Sequence, residues 1–221
     1  MMQVFVQLVS KPIKKSVQWY LSKPRNFKYQ DINITVDPGV FHPGFFFSTR
    51  FILKFLATQN LLHQNFLEVG SGSGLISVFA SKKGAFVTAI DINSKAVLNT
   101  LKNGKKNNAA IDVRESDLFS NVPPIRFDWI VINPPYYPVN PKNEAEFAWN
   151  CGLNHQYFEG LFSNLQYFTT ENSHTLIVLS DVCDLSRIFE IAKSYHFYFE
   201  KITQKRVWAD GWNYLFWVKR F

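Results

Sequence analysis

Cysteine is scarce in this chain: Cys151 and Cys183 are the only two in 221 residues. A disulfide framework of the kind that staples small secreted domains is therefore excluded, and both thiols are expected to stay reduced. No apolar run approaches the roughly 20 residues of a membrane-spanning helix. The opening MMQVFVQLVS lacks the basic flank of a secretory leader and meets Lys11-Pro12 after a short apolar stretch. A cytoplasmic protein with no membrane partner is expected. Metal binding lacks its usual spacing too. Among His42, His63, His155, His174 and His196 no two stand four apart, the separation that puts two ligands on one helix face. No metal is expected, and no internal repeat or low-complexity tract interrupts the chain.

Acids are missing from the first 30 positions, which carry Lys11, Lys14, Lys15, Lys23, Arg25 and Lys28. The net charge is +7, so nearly all of it sits there; the rest sets eighteen bases against seventeen acids. A segment of one sign attracts polyanions, or an acidic protein face, by long-range steering. Apolar residues are plentiful, 47% of the chain, and aromatic ones make up 17%, with 22 phenylalanines. That excludes wholesale disorder and suffices for one well-buried domain, not two. Residues 1–40 read as a basic N-terminal extension and 41–221 as the domain.

Spacing predicts a helix over 12–22, with Pro12 in its first turn, and extended runs at Phe27–Gln30 and Ile32–Val36 before a turn at Asp37-Pro38-Gly39. Apolar positions 47, 51, 52, 55 and 56 predict a helix from Phe45 to Thr58. Strand and helix then alternate. Strands are expected at 66–69, 86–90, 111–115, 127–132 and 174–180, with two more at 196–204 and 213–219. Helices are expected at 74–83, 94–107 (Ser94 as N-cap), 154–169 and 184–195. This pattern predicts an α/β fold: a doubly wound, mostly parallel, seven-stranded sheet that binds ligands at the carboxyl ends of its strands.

At the first of those ends stands Glu68-Val69-Gly70-Ser71-Gly72-Ser73-Gly74. Glycines there permit positive φ and close backbone approach to a ligand. Dinucleotide sites use the same device, but their fingerprint places a third glycine where this chain has Leu75. Glu68 would repel a pyrophosphate, whereas it would attract the α-ammonium of S-adenosylmethionine. Asp91, ending the second strand, suits a ribose diol in either cofactor class. After the third strand Asp117 could accept from an adenine amino group, and Leu118 offers a backbone N–H to a ring nitrogen. Ile92 could cover an adenine face. Glu68, Gly70, Gly72, Gly74, Asp91, Ile92, Asp117, Leu118 and Asn133 are the candidate cofactor residues.

Asn133-Pro134-Pro135-Tyr136 follows the fourth strand. The prolines stiffen the loop and hold Asn133 extended. A conjugated –NH₂ is a poor nucleophile because its lone pair is delocalised. Two acceptors on its N–H bonds, the Asn133 side-chain oxygen and the Pro134 carbonyl, would hold the nitrogen toward pyramidal geometry and support developing charge. Tyr136 would stack on the flat group. Asn133, Pro134 and Tyr136 are the candidate catalytic residues. Cysteine-based methylation of pyrimidine C5 is disfavoured, since neither cysteine follows a proline.

From these motifs the sequence resembles the class I S-adenosylmethionine-dependent methyltransferases, and within them the HemK-type glutamine methyltransferases and their amino-methylating nucleic-acid relatives. The likeness spans roughly residues 37–221. Besides the glycine turn, Asp91-Ile92-Asn93 and Asn133-Pro134-Pro135-Tyr136, it includes Gly39-Val40-Phe41-His42-Pro43, similar to the family's segment that closes over cofactor and substrate. Phe45-Phe46-Phe47 is bulkier than the acidic and hydroxyl residues the resemblance leads one to expect next. Phe147-Ala148-Trp149 followed by Gly152 resembles the stretch after the clamp. Bacterial members acting on release factors carry a helical domain ahead of the catalytic one, whereas only about 40 residues precede it here. The length is closer to the archaeal and eukaryotic-type relatives, which implies a small partner subunit.

The clamp leaves the acceptor open between a protein glutamine amide, as in a translation factor, and an exocyclic amine of a base in RNA or DNA. A base would have to be flipped or single-stranded, and the basic extension would contact its phosphates. The alternative from another class is an inactive scaffold of the same fold, serving translation or RNA metabolism. Trp208, Trp212, Tyr214, Phe216 and Trp217 read as core or edge-strand packing in preference to a base-stacking platform.

Overall fold

The computed structural model of the chain describes residues 19–208 and 211–221. Most of the predicted helix over 12–22, with Lys11, Lys14 and Lys15, lies outside the described residues.

Two strands, β1 (Arg25–Tyr29) and β2 (Ile32–Val36), form an antiparallel hairpin. Helix α1 (Phe47–Leu56) follows, and then the alternation begins: β3 (Asn65–Val69), α2 (Leu75–Lys82), β4 (Phe86–Asp91), α3 (Ser94–Lys106) and β5 (Ile111–Glu115). Next come β6 (Trp129–Ile132), a 3-10 turn at Glu144–Ala148, α4 (Gln156–Leu165), β7 (His174–Ser180), α5 (Leu185–Ser194), β8 (Phe197–Val207) and β9 (Gly211–Arg220). Seven strands make one sheet in the order β5-β4-β3-β6-β7-β9-β8. Strands β3 to β7 run parallel and β9 runs antiparallel between β7 and β8. The expected mostly parallel α/β sheet is the one observed.

Alternation along each strand divides the core between the two faces. Phe66, Val131, Leu176, Val178 and Leu215 pack under α1, α2 and the hairpin. Leu67, Ile130, Ile132, Ile177 and Phe216 pack over α4 and α5, where Phe158, Phe162 and Ile188 are fully buried. Chain order reverses between β3 and its neighbour β6, which opens a crevice at their carboxyl ends.

The hairpin is tied to the sheet by a device that sequence periodicity did not reveal. Asn99, Asn103 and Asn107 lie four apart on one face of α3 and meet alternate backbone positions of β2. Asn107 exchanges two hydrogen bonds with the backbone of Asn33 (3.0 and 2.9 Å), and Asn103 exchanges two with Thr35 (both 2.8 Å). Asn99 donates to the Thr35 carbonyl at 2.8 Å. The repeats match because four helical residues rise about 6 Å and two strand residues advance about 6.6 Å.

The helix caps differ in one detail from expectation. Ser94 was the predicted cap of α3, but Asn93 performs it: its backbone is extended and its side chain accepts the Lys95 N–H at 3.0 Å. Ser94 instead donates to Glu144 at 3.2 Å. The 3-10 turn carrying Glu144 has too little periodicity to be read from sequence.

Candidate active site

A cavity of about 570 Å³ occupies the crevice above β3 and β6, within the range of small-molecule sites. It gathers Glu68, Gly70, Gly72, Asp91, Ile92, Asp117, Leu118, Asn133, Pro134 and Tyr136 into one wall system. One candidate is not part of it: Gly74 faces away.

The glycines divide their work. All three have positive φ: 80° at Gly70, 51° at Gly72 and 74° at Gly74. A Cβ added at Gly70 would meet nothing within 4 Å, and one at Gly72 would only touch Phe41 at 3.6 Å. Both leave open space on the cavity side. At Gly74 a Cβ would lie 2.9–3.0 Å from Thr100, including its backbone. That glycine lets α2 pack on α3 and, unlike Gly70 and Gly72, does not line the cavity. The turn itself is clamped from two sides. Gly70 and Ser71 both donate to the Ile90 carbonyl at 2.9 Å, while Thr100 donates to the Gly72 carbonyl at 3.2 Å and Asn103 to that of Ser73 at 2.9 Å.

Glu68 is buried, and its carboxylate accepts the Ser77 N–H at 2.8 Å as well as the Ser77 hydroxyl. Burial pushes its pKa up to about 8, against the pull of the Ser77 bonds and with the Asp91 charge adding to the rise. Asp91 accepts the Gly72 N–H at 2.8 Å on one oxygen and the Asn93 N–H at 2.9 Å on the other. Burial raises its pKa too, despite these bonds. The Ile92 backbone adds a third bond to this carboxyl. Asp117 is exposed at the cavity rim. Leu118 beside it is held at φ 47°, with its carbonyl accepting from the Ser116 hydroxyl at 2.7 Å.

The Asn133 loop is fixed by the segment downstream. Tyr136 and Tyr137 both donate N–H to the Trp149 carbonyl, at 3.0 and 2.9 Å, and Cys151 donates back to Tyr137 at 2.7 Å. The Tyr136 hydroxyl reaches the Asn133 side-chain oxygen at 3.5 Å, the outer limit of a hydrogen bond. Tyr136 is 92% buried, packing into the lower core while it lines the cavity. The freer rings are others. Phe41, Phe46 and Trp149 form a triad at the mouth, with centroids 5.0–5.1 Å apart.

The sequence names Phe41, Phe46 and Trp149 only within segments compared with the family's, not as one triad, and gives no sign of Ser48, Thr49 and Tyr157. The bulk of Phe45-Phe46-Phe47 finds its place here: the helix start sets Phe46 in the cavity wall together with Ser48 and Thr49. Burial drives the Tyr157 hydroxyl far above the ordinary phenol range, and the Cys151 thiol up to about 11. Both therefore keep their protons at neutral pH. Among the described residues no group of three His, Cys, Asp or Glu side chains is placed to hold a metal ion, and no helix is long and apolar enough to cross a membrane.

Comparison with known proteins matches residues 31–150 to the methyltransferase small domain. The chain is 39% identical over 126 residues to a protein of Methanocaldococcus jannaschii provisionally assigned as an N5-glutamine methyltransferase, covering 57% of this chain and 61% of that one. It is 34% identical to the ribosomal protein L11 methyltransferase of Thermosipho africanus, covering 57% and 49%. The alignments thus span about half to three fifths of those relatives. Among solved structures, ribosomal protein L11 methylase from Lactobacillus delbrueckii subsp. bulgaricus superimposes with a TM-score of 0.62 at 20% identity, over 84% of this chain and 83% of the other. The 16S rRNA N2 G1207 methyltransferase of T. thermophilus, solved with AdoMet and guanosine, gives 0.62 at 17% identity, over 90% and 50%.

Proposed function

The chain belongs to the methyltransferase small domain family of class I S-adenosylmethionine-dependent methyltransferases, and from that premise we propose that it methylates a planar, conjugated amino nitrogen. One observation carries the reading. Val69 and Ile132 are register partners, so Gly70 and Asn133 occupy neighbouring positions at the carboxyl edge and open into one cavity. The cofactor turn and the amide clamp are thereby a single strand spacing apart, roughly 4.8 Å.

The residues fit S-adenosylmethionine. Gly70 and Gly72 leave room above the backbone where a side chain would intrude. Glu68 supplies a carboxylate for the α-ammonium group, and Asp91, in the cavity wall at the end of β4, faces the ribose diol. Asp117 and the Leu118 N–H would take the adenine edge, and Ile92 its face. When bound, the cofactor supplies an electrophilic methyl group on sulfur.

What remains is the work of this chain's own residues. Asn133 and the Pro134 carbonyl accept the two N–H bonds of the acceptor amine, and the Tyr136 hydroxyl steadies the Asn133 amide. The rings of the mouth exclude water and hold the flat group. No base is needed, because the proton is acidic once the nitrogen has become cationic; Cys151 and Tyr157, both protonated, do not supply one. Two of the similar proteins have named targets with the common element: a glutamine N5 and a guanine N2 are both planar, conjugated nitrogens.

The test is transfer of labelled methyl from S-adenosylmethionine into separated protein, RNA and DNA fractions, followed by hydrolysis and identification of the product. Methylated nitrogen in glutamine or a nucleobase is expected. Label found only on carbon or on a carboxylate oxygen would overturn the reading.

A further inference from the structure

A strip of rings and cations runs past the cavity mouth. Phe45, Phe46 and Phe47 enter α1 in succession and serve three neighbours. Phe45 stands edge-on to Tyr20 at 5.8 Å, Phe46 belongs to the triad with Phe41 and Trp149, and Phe47 lies 5.8 Å beneath the Lys205 ammonium. At the near end the Arg25 guanidinium stacks 3.9 Å from the Tyr20 centroid, beside a Trp19 that is 65% exposed. At the far end β8 continues past Lys205 and Arg206 to Trp208, which is 100% exposed. Segments 19–30, 38–67 and 201–208 hold eight lysines and arginines and no acid, whereas Glu144 and Glu146 stand in the turn that ends at Trp149.

Register sets Trp208 on the active edge. Ser180, the last residue of β7, pairs with Asn213, and Asn213 pairs with Lys205. The β8–β9 turn therefore leaves the sheet where Gly70 and Asn133 do, three strand positions or about 14 Å from Asn133. Its stem is fixed. The Trp212 N–H donates to the Asp181 carboxylate and the Asp181 N–H to the Trp212 carbonyl, both at 3.0 Å. Trp208 follows the last residue of β8 and is wholly exposed, so it does not pack as the sequence reading expected.

We propose that this strip docks single-stranded nucleic acid and hands an unstacked base to the Asn133 clamp. The inference rests on the planar-nitrogen reading and selects the nucleobase amine from its two acceptors. Cations spaced among exposed ring faces take phosphates and bases in alternation, the pattern of single-strand grooves. A duplex keeps its bases stacked and offers Trp208 nothing. An acidic protein would engage the cations but leave the rings unused.

The test is fluorescence anisotropy of the full chain with a labelled 12-nucleotide RNA, the matching DNA, their duplexes and a polyglutamate peptide. Both single strands should bind at least tenfold tighter than duplex or peptide. A preference for RNA would show that the 2′-hydroxyl is read, and equal binding that only the shared base and phosphate chemistry is; either supports the proposal. Trp208→Ala should weaken binding about tenfold while leaving the salt dependence and the melting temperature unchanged. Removing Lys205 and Arg206 together should lower the log–log salt slope by about 1.4, two phosphates at about 0.7 each. Equal affinity for polyglutamate, or a Trp208→Ala variant that binds like the parent, overturns the docking strip. If oligonucleotides fail to bind but glutamine methylation proceeds, the strip falls and the planar-nitrogen reading stands. If they bind as expected and no nitrogen acceptor is ever methylated, that reading falls instead.

Discussion

Asn103 and Thr35 close a two-bond ring across 68 residues of sequence: the side-chain oxygen accepts the Thr35 N–H and the side-chain amine donates to the Thr35 carbonyl, each at 2.8 Å. The same amine donates to the Ser73 carbonyl at 2.9 Å, so one buried amide joins the hairpin, α3 and the glycine turn. Replacing Asn103 by Ala would strand the Thr35 N–H and the Ser73 carbonyl, while the Thr35 carbonyl keeps its bond from Asn99; each stranded group is worth about 1–3 kcal/mol when unsatisfied. We expect a loss of roughly 3 kcal/mol in urea unfolding, with cofactor affinity also reduced because the turn loses its brace. A loss below about 1 kcal/mol would mean that water reaches these groups.

The two glycine classes make opposite predictions. Gly70→Ala adds a methyl to open cavity space at φ 80°. It should cost about 1–2 kcal/mol of stability from the left-handed backbone and weaken S-adenosylmethionine binding more than tenfold by intrusion. Gly74→Ala adds the same strain and also collides with the Thr100 backbone, away from the cavity. Its stability loss should be the larger, and its effect on cofactor affinity in the folded fraction the smaller. Melting curves and calorimetric titration of both variants check the ordering.

These contrasts mark where sequence stops being informative. Strand ends, the glycine turn and the Asn-Pro-Pro-Tyr loop were legible because each is local: a period, a φ requirement or a stiffened dipeptide writes itself into adjacent residues. The split between Gly70 and Gly74 was not, since it depends on what stands opposite, and Thr100 lies 26 residues beyond Gly74. The asparagine ladder was not legible. Its four-residue spacing is plain on α3, but nothing local says that a strand's backbone is the partner. Phe46 and Trp149 were hidden differently, because an aromatic on a rim and one in a core look alike in sequence.

Asn133→Ala should separate binding from chemistry. The side chain lines the cavity beside the glycine turn and has the Tyr136 hydroxyl at 3.5 Å as its steadying contact. Losing an acceptor aimed at developing charge typically costs about 10²–10³ in turnover. Methyl transfer should fall by at least that factor while S-adenosylmethionine affinity stays within a few-fold. Collapse of cofactor affinity would reassign Asn133 to the cofactor. Tyr136→Phe should give a smaller loss, because the bond it removes is long.

Glu68 makes the pH behaviour of the site predictable in sign. Its pKa is raised by burial from the ordinary carboxylate value to about 8. Between about pH 4.5 and 8 the folded chain holds a proton that the unfolded chain has released, so stability falls as pH rises across that window. The contribution is complete below pH 4.5 and is lost as pH passes through 8. Asp91 is raised in the same direction and adds to the slope. A drop on the order of a few kcal/mol between pH 5 and 8 is expected for the ligand-free chain, and Glu68→Gln should flatten it while keeping an acceptor for the Ser77 N–H. A cation entering the cavity favours the carboxylate, so binding must release the proton at any pH below about 8. S-adenosylmethionine should therefore bind more tightly as pH rises from 6 to 8, with proton uptake by the buffer measurable by titration in two buffers of different ionisation enthalpy. A pH-independent affinity, with no proton exchanged, would show that Glu68 is already ionised in the ligand-free chain, held by Ser77 against the cost of burial.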